Sequence, residues 1–218
     1  MKIRKAGAVL GLVLVCAAGA GRASGSDIRF WEQLGLNWSP FAPLKIFLEK
    51  ELRYENSFTD MDSDITELGL RWELAKWLDI RFDYRFISKG KDEKRDRIDG
   101  NITIGWSRPG VALSNRFRLQ KEFITETGAE AATETVFRDR VRATLRPEKT
   151  LRPYGDAEIF LGLGENGSAL NMLRLGTGLE IAASKKATVT AFYVYQNKFG
   201  NTAKEISHIF GARFSYGF

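Results

Sequence analysis

The chain has 218 residues, of which 44% are hydrophobic and 28% charged, and it carries a formal net charge of +6 at pH 7. This length fits one domain or two small ones, and the contents of 21 Gly, 5 Pro and 1 Cys exclude collagen, a disordered chain and a disulfide scaffold. A helical membrane protein is disfavoured, because only the N-terminal stretch is apolar over a comparable length. A membrane β-barrel is not excluded, because alternating strands average out to a soluble-looking composition.

Residues 1–25 are typical of a secretory signal peptide. Basic residues come first, an uncharged apolar run follows over 6–20, and small residues then offer cleavage positions. A membrane anchor and a lipoprotein signal at Cys16 are the alternatives. Without the leader the Lys+Arg count falls from 33 to 29 against 27 acids, which leaves +2 and no cysteine in the mature domain, 26–218. The basic excess is therefore no argument for nucleic-acid binding.

Hydrophobic and polar residues alternate along almost all of the chain after the leader. A period of two predicts β-strands, and no stretch has the spacing of a convincing helix. Eleven strands are predicted, at about 28–38, 44–54, 64–74, 78–88, 97–106, 111–121, 137–146, 153–162, 172–182, 188–196 and 206–218.

Short and longer connections alternate between these strands. All five prolines lie in or beside short connections, where no ladder hydrogen bond is lost. Short turns at one end and longer loops at the other are typical of outer-membrane barrels. Such barrels have even strand numbers in bacteria, so we expect a 10- or 12-stranded wall with one strand merged or missed. A first segment outside the wall and a parallel closure are the alternatives.

The alternation does not decide which face points inward. In a membrane barrel the apolar face contacts lipid and the charges line the lumen, whereas a secreted soluble barrel or sandwich has the reverse order. Strands of roughly 9–12 residues and an export leader favour an all-β, transmembrane, antiparallel up-and-down β-barrel. Tryptophans near the short turns favour it too, because they would form an interfacial aromatic girdle. They are Trp38, Trp72, Trp77 and Trp106.

The turn positions set opposite charges against one another in neighbouring strands. The predicted lumen-lining pairs are Glu67 with Arg85, Asp99 with Arg118, Arg140 with Glu158, and Arg142 with Asp156. The same alignment also sets Arg71 against Arg81, so the agreement is incomplete. The inward charges form either a narrow polar pore or a salt-bridged filling that closes a small barrel.

Glu32 and Lys50 break the alternation, because both fall on the apolar face. The first hairpin is predicted to pair Leu36 with Ile46 and hence Glu32 with Lys50. Charges facing lipid cost up to about 2–4 kcal/mol each at mid-membrane, and facing each other they offset part of this cost. The pair is expected near a rim, under another chain, or in an outward-facing site or oligomer contact.

No constellation points to catalysis or metal binding. His208, the only histidine, lies on the apolar face of the last strand, where Ile206 and Phe210 supply no hydroxyl nucleophile. One His and no Cys in the mature chain argue against a transition-metal site. We therefore expect no enzyme activity, cofactor or metal.

The last strand ends in Phe214-Ser215-Tyr216-Gly217-Phe218, and its alternating aromatic residues resemble the C-terminal assembly signal of bacterial outer-membrane proteins. Nearly all of 27–218 also resembles a family of predicted outer-membrane barrels known as domain of unknown function 2490. The residues that carry this resemblance are Trp31, Leu34-Gly35-Leu36, 48–54, Trp77-Leu78, Tyr84-Arg85-Phe86, 192–196 and 208–211. The resemblance implies fold and location, and the family carries no established activity.

The expected protein is thus an exported barrel of the cell outer membrane of a Gram-negative bacterium. Its expected partners are the lipid bilayer with its lipopolysaccharide and the barrel-assembly machinery, with no nucleic acid and an undecided oligomeric state. The leading function is a small passive channel or uptake barrel for a small polar solute. The alternatives are a structural or envelope-integrity barrel with a closed lumen and, last, an outer-membrane enzyme.

Overall fold

A computed structural model describes residues 26–55, 59–90, 93–126, 128, 131–164, 167–199 and 205–218. The predicted leader lies outside the described residues. Within these ranges the chain forms eleven β-strands: β1 Ser26–Phe41, β2 Leu44–Glu55, β3 Asp60–Ala75, β4 Leu78–Lys89, β5 Glu93–Arg108, β6 Val111–Glu126, β7 Ala132–Leu145, β8 Leu151–Gly164, β9 Gly167–Ala182, β10 Ala187–Lys198 and β11 Glu205–Gly217. None of the described residues forms a helix long and apolar enough to cross a membrane.

The strands close into one barrel in which each strand pairs with its sequence neighbours and β1 pairs with β11. Consecutive pairs are antiparallel, whereas β1 and β11 run parallel from Ser26↔Ile206 to Asn37↔Gly217. An odd number of alternating strands forces this, because the first and last strands then point the same way. The all-β closed barrel and the eleven strands counted from the sequence are confirmed. The preference for an even count of 10 or 12 was wrong, and the parallel closure that was given as an alternative is the one that forms. The first segment is a full wall strand.

Most charged side chains point into the barrel and most large apolar side chains point out. In β3, for example, Glu67 is only 2% exposed, while its neighbours Leu68 and Leu70 are 54% and 48% exposed. The same alternation runs through β4 and β5. Cross-strand neighbours on the pleated wall share a face, so the period-2 pattern of the sequence becomes a continuous apolar outer surface.

Two registers differ from the sequence prediction by two residues. Trp106 faces Leu113, because β5 and β6 extend to a tight turn at Pro109 and Gly110, whose φ of +89° suits glycine. Similarly, β1 extends to Phe41 with an irregularity after Trp38, which sets Leu36 opposite Leu48. The β3–β4 pairing of Glu67 with Arg85 and the β7–β8 pairings are as predicted, apart from an irregularity between Glu73 and Ala75.

Candidate functional site

The barrel interior is the candidate site, because its middle is packed with charged and aromatic side chains. Every strand except β9 contributes at least one inward side chain that is no more than 8% exposed. Representatives from β1 to β8, β10 and β11 are Trp31, Phe47, Glu67, Asp83, Asp99, Arg118, Arg138, Glu158, Gln196 and Ile209. The middle layer is therefore largely shielded from solvent.

A network of paired carboxylates and guanidinium groups occupies the wall formed by β3 to β6. Glu67 accepts from Arg81 and from Arg85, the partner predicted for it. Arg81 Nε also lies 2.6 Å from Asp83 Oδ1. Because each carboxylate meets at least one guanidinium, the desolvation of these charges is offset by charge-assisted hydrogen bonds.

Arg118 on β6 completes this network through two contacts to β5. Its Nη1 lies 3.2 Å from Asp99 Oδ2 and its Nε donates to Asn101 Oδ1 at 2.6 Å. The predicted pairing of Asp99 with Arg118 therefore forms as an ion pair. It is a diagonal contact, because Asp99 faces Gln120 and Arg118 faces Asn101 in the register.

A second cluster on β6 to β9 is rich in arginine, and we name it the arginine cluster: Arg116, Arg138, Arg140 and Arg174 around Glu158. Arg116 Nη2 and Arg138 Nη2 each lie 2.9 Å from Glu158 Oε1. Arg140 faces Glu158 in the register, as predicted, but forms no ion pair with any described residue. The close contacts to Glu158 come from Arg138, two residues before Arg140 on β7, and from Arg116 on β6. Because neither of them faces Glu158 in the register, the sequence could not indicate which arginine holds it.

Nearer the short turns, Arg142 faces Asp156 as predicted, with Nε 3.3 Å from Oδ2. Its Nη1 also lies 3.3 Å from Glu180 Oε1 on β9. The guanidinium stacks on Tyr154, 3.7 Å from the ring centroid. Arg142 is thus fixed by two carboxylates and one aromatic ring.

Sequence reasoning missed the aromatic rings of the interior. Three of them lie flat over inward glycines that are their direct cross-strand partners, so that a Cβ there would come within 2.6 Å of the ring. These pairs are Phe47 on Gly69, Tyr154 on Gly178, and Phe192 on Gly211. Arg81 then covers Phe47 at 3.6 Å from the ring centroid. The available signal was an aromatic residue on the charged face of a strand, at positions where the prediction expected only polar lumen residues.

The inward polar side chains become more exposed towards both ends of the described barrel. On the short-turn side the side chains of Arg71 and Arg213 are 43% and 44% exposed. On the long-loop side those of Lys198 and Glu205 are 43% and 42% exposed. The two polar ends of the described interior, which we name the short-turn vestibule and the long-loop vestibule, are thus separated by the packed middle layer.

The outward charges Glu32 and Lys50 do not face each other as predicted. Glu32 faces Leu52, and Lys50 faces Leu34 and Thr66. Lys50 instead forms an ion pair with Asp64 and donates to Thr66 Oγ1 at 3.1 Å. Among the described residues Glu32 has no ion-pair or hydrogen-bond partner.

His208 points outward, but a hydroxyl does reach it. Tyr193 Oη lies 2.8 Å from His208 Nδ1 across the β10–β11 pair, and Tyr195 packs edge-on against the imidazole. Ile206 and Phe210 on β11 supply no hydroxyl, and the one that reaches His208 comes from the neighbouring strand β10. No group of three or more His, Cys, Asp or Glu in the described ranges is placed to hold a metal ion.

The predicted girdle and assembly residues lie at the short-turn rim and on the outer face. Trp38, Trp72, Trp77 and Trp106 are all about half exposed there. In the last strand Phe214 is exposed, and the backbone N–H of Phe218 donates to the carbonyl of Asn37 at 2.9 Å. Tyr216 and Phe218 stack edge to face. Their roles in the interface and in assembly stay predictions.

One known protein family matches this chain over nearly the whole barrel wall. A family model described as "Protein of unknown function (DUF2490)" matches residues 28–207, from β1 into β11. The chain belongs to the DUF2490 family. The match confirms the resemblance of the strand motifs, and the family description gives the DUF2490 barrel no activity.

Solved structures similar to the DUF2490 barrel include those of a porin and of a translocator domain. A NanC porin structure has a TM-score of 0.51 at 9% identity, over 78% of this chain and 86% of that chain. The translocator domain of autotransporter NalP from Neisseria meningitidis has a TM-score of 0.47 at 13% identity, over 93% of this chain and 91% of that chain. A comparison with curated proteins found no match. The likeness to the porin shows the barrel fold alone.

Proposed function

We propose that this DUF2490 protein is an exported outer-membrane barrel whose lumen is closed, and that it serves the envelope as a structural barrel. The observation that carries the proposal is the packed middle layer, in which Asp99 is 0% and Arg118 is 3% exposed. A water-filled pore would expose such residues, whereas a small barrel filled by its own side chains buries them. No catalytic role is proposed.

The outer-membrane location is supported by the direction of the side chains. Apolar residues cover the outside and charges fill the inside, which suits lipid outside the wall and is the reverse of a soluble barrel. In this proposal the bilayer and its lipopolysaccharide contact the apolar wall. The barrel-assembly machinery recognises the β11 end with Phe214, Tyr216 and Phe218.

A second candidate function is a passive channel or uptake barrel, and the two vestibules favour it. In addition, the arginine-rich wall of β6–β9 lies beside the charge-balanced wall of β3–β6, and its positive charge would attract an anionic polar solute. The similar NanC structure is that of a porin. Conduction would require the middle layer around Arg118 to move.

Planar-bilayer recording of the refolded protein separates the two functions. We expect no step currents from the wild-type barrel, although its folded band is heat-modifiable. The double variant Asp99→Ala/Arg118→Ala removes a buried pair from the middle layer and should produce currents. The matched vestibule variant Arg71→Ala/Asp79→Ala removes a pair 2.8 Å apart near the short-turn rim and should stay silent. Step currents from the wild type would overturn the closed barrel and establish the channel.

Outward charges provide a test of the location. Lys50 lies six residues from the short-turn end of β2, about 20 Å along the strand and therefore about 15 Å along the membrane normal for a tilted strand. Removing the unpaired Glu32 (Glu32→Leu) should raise stability against urea by up to about 2 kcal/mol in lipid vesicles. Lys50→Leu should lower stability, because it leaves Asp64 without its partner. If Glu32→Leu instead destabilises the barrel in vesicles, lipid does not cover this face.

A further inference from the structure

The arginine cluster carries more positive charge than the interior compensates. Four guanidinium groups surround one carboxylate, that of Glu158, which gives the cluster a formal charge of +3. Arg116, Arg140, Glu158, Arg174 and Gln196 form one continuous row across the inner wall. Buried charge without a partner is expensive, so this surplus requires a counter-charge.

Two of the four arginines lack an ionic partner among the described residues. Arg174 donates from Nε to the neutral Oε1 of Gln196 at 2.8 Å and lies 4.8 Å from the ring centroid of Phe160. Arg140 makes no hydrogen bond to a described residue, and its Nε is fully buried without an acceptor. The single carboxylate of Glu158 is already occupied by Arg116 and Arg138. Arg140 therefore has a free guanidinium edge beside two further arginines.

The cluster can be reached from the short-turn vestibule. Arg142, two residues from Arg140 on the same inward face of β7, has a side chain that is 24% exposed. Arg116, opposite Arg140, has a side chain that is 16% exposed. Exposure thus decreases stepwise from the vestibule to the cluster, while Arg138 on the far side is almost completely buried. A small solute in the vestibule would meet Arg142 first, then Arg116 and Arg140.

We propose that the floor of the short-turn vestibule is a binding site for a small soluble oxyanion, held by Arg140 with Arg116 and assisted by Arg142. The planar guanidinium fork matches the paired oxygens of a phosphate, sulfate or carboxylate group. The bound anion supplies the counter-charge that Glu158 alone does not. This site is independent of whether the barrel conducts, because binding requires access from one side only.

The test uses the full mature barrel refolded in detergent micelles, with inorganic phosphate and sulfate as probes in low-salt buffer. Calorimetric titration should give saturable binding for the wild type. Arg140→Gln should weaken it by about tenfold or more, because a charge-assisted contact is lost. The matched control Arg152→Gln removes a vestibule arginine that is 3.6 Å from its own acid, Glu180, and should bind as the wild type does.

Thermal unfolding gives a second readout that is independent of the titration. Without a bound anion, Arg140→Gln should unfold at a higher temperature than the wild type, because it removes an uncompensated charge. Phosphate should then raise the unfolding temperature of the wild type and leave that of the variant almost unchanged. Absence of saturable wild-type binding, or equal binding by Arg140→Gln, would overturn the site. Displacement of bound phosphate by phosphatidylglycerol added to the micelles would assign the site to a lipid headgroup instead of a soluble anion.

Discussion

Replacing Gly211 by alanine should prevent the barrel from closing. A Cβ at this position would lie 2.7 Å from the backbone carbonyl oxygen of Trp31 and 2.2 Å from the Phe192 ring. The ring could turn away, but the carbonyl belongs to β1 in the parallel β1–β11 pair, where Trp31 faces Gly211. Relief therefore requires the two strands to separate. We expect a loss of at least about 3 kcal/mol, the upper end of overpacking costs, and little or no heat-modifiable folded band.

Gly100→Ala is the matched control for this substitution. Gly100 also lies within a strand, but a Cβ there would have Phe82 at 3.8 Å as its nearest neighbour, which is an ordinary contact. The control should fold with an unchanged urea midpoint. If Gly211→Ala folds as completely as Gly100→Ala, the β1–β11 seam does not have the geometry described, and the eleven-stranded closure would have to be revised.

Strand positions were predictable because alternation is a local property of the sequence. The segment 66–74 already separates Glu67 from Leu68 and Leu70 without any knowledge of its neighbours. Turn positions then gave the β3–β4 and β7–β8 registers correctly. The eleven strands themselves were also counted from the sequence. The expectation of an even strand number came from other bacterial barrels, and it was preferred to the count of eleven made on this chain.

Registers and interior partners were harder to predict, since they depend on contacts between distant segments. One tight turn at Gly110 shifted the β5–β6 register by two residues, and a local irregularity after Trp38 did the same for β1–β2. Long arginine side chains reach beyond the residue they face, so Asp99 still meets Arg118 despite the shift. Conversely, Arg140 faces Glu158 as predicted but does not hold it. Facing positions therefore do not determine ion pairs inside a narrow barrel.

The cross-strand pairs of a glycine and an aromatic residue, such as Tyr154 with Gly178, show a different limit of prediction from sequence. The sequence contains both residues on charged faces, but only the register shows that they are neighbours. These pairs bear on function, because rings stacked between a glycine and an arginine help to fill the middle of the lumen. A prediction based on charge alone overestimates the open, polar part of the lumen.

Glu158→Gln should be the most destabilising charge substitution in the interior. It removes the carboxylate that meets Arg116 and Arg138 at 2.9 Å and leaves four neighbouring guanidinium groups without any acid among them. Breaking a buried ion pair by removing one partner costs about 3–5 kcal/mol, and here one substitution leaves several charges without a partner. The free energy of unfolding in urea, measured on the refolded barrel in low-salt buffer, should fall by at least this amount.

Two further variants show whether the loss comes from charge. Glu49→Gln removes an inward carboxylate that is 4.0 Å from Arg213 in the exposed vestibule, so it should cost less than about 1 kcal/mol. Adding Arg140→Gln to Glu158→Gln should recover part of the lost stability, because it removes one of the positive charges left without a partner. Phosphate should also stabilise Glu158→Gln more than the wild type, since an anion can take the place of the missing carboxylate. If the double variant is less stable than Glu158→Gln alone, Glu158 acts through packing, and the arginine cluster holds no uncompensated charge.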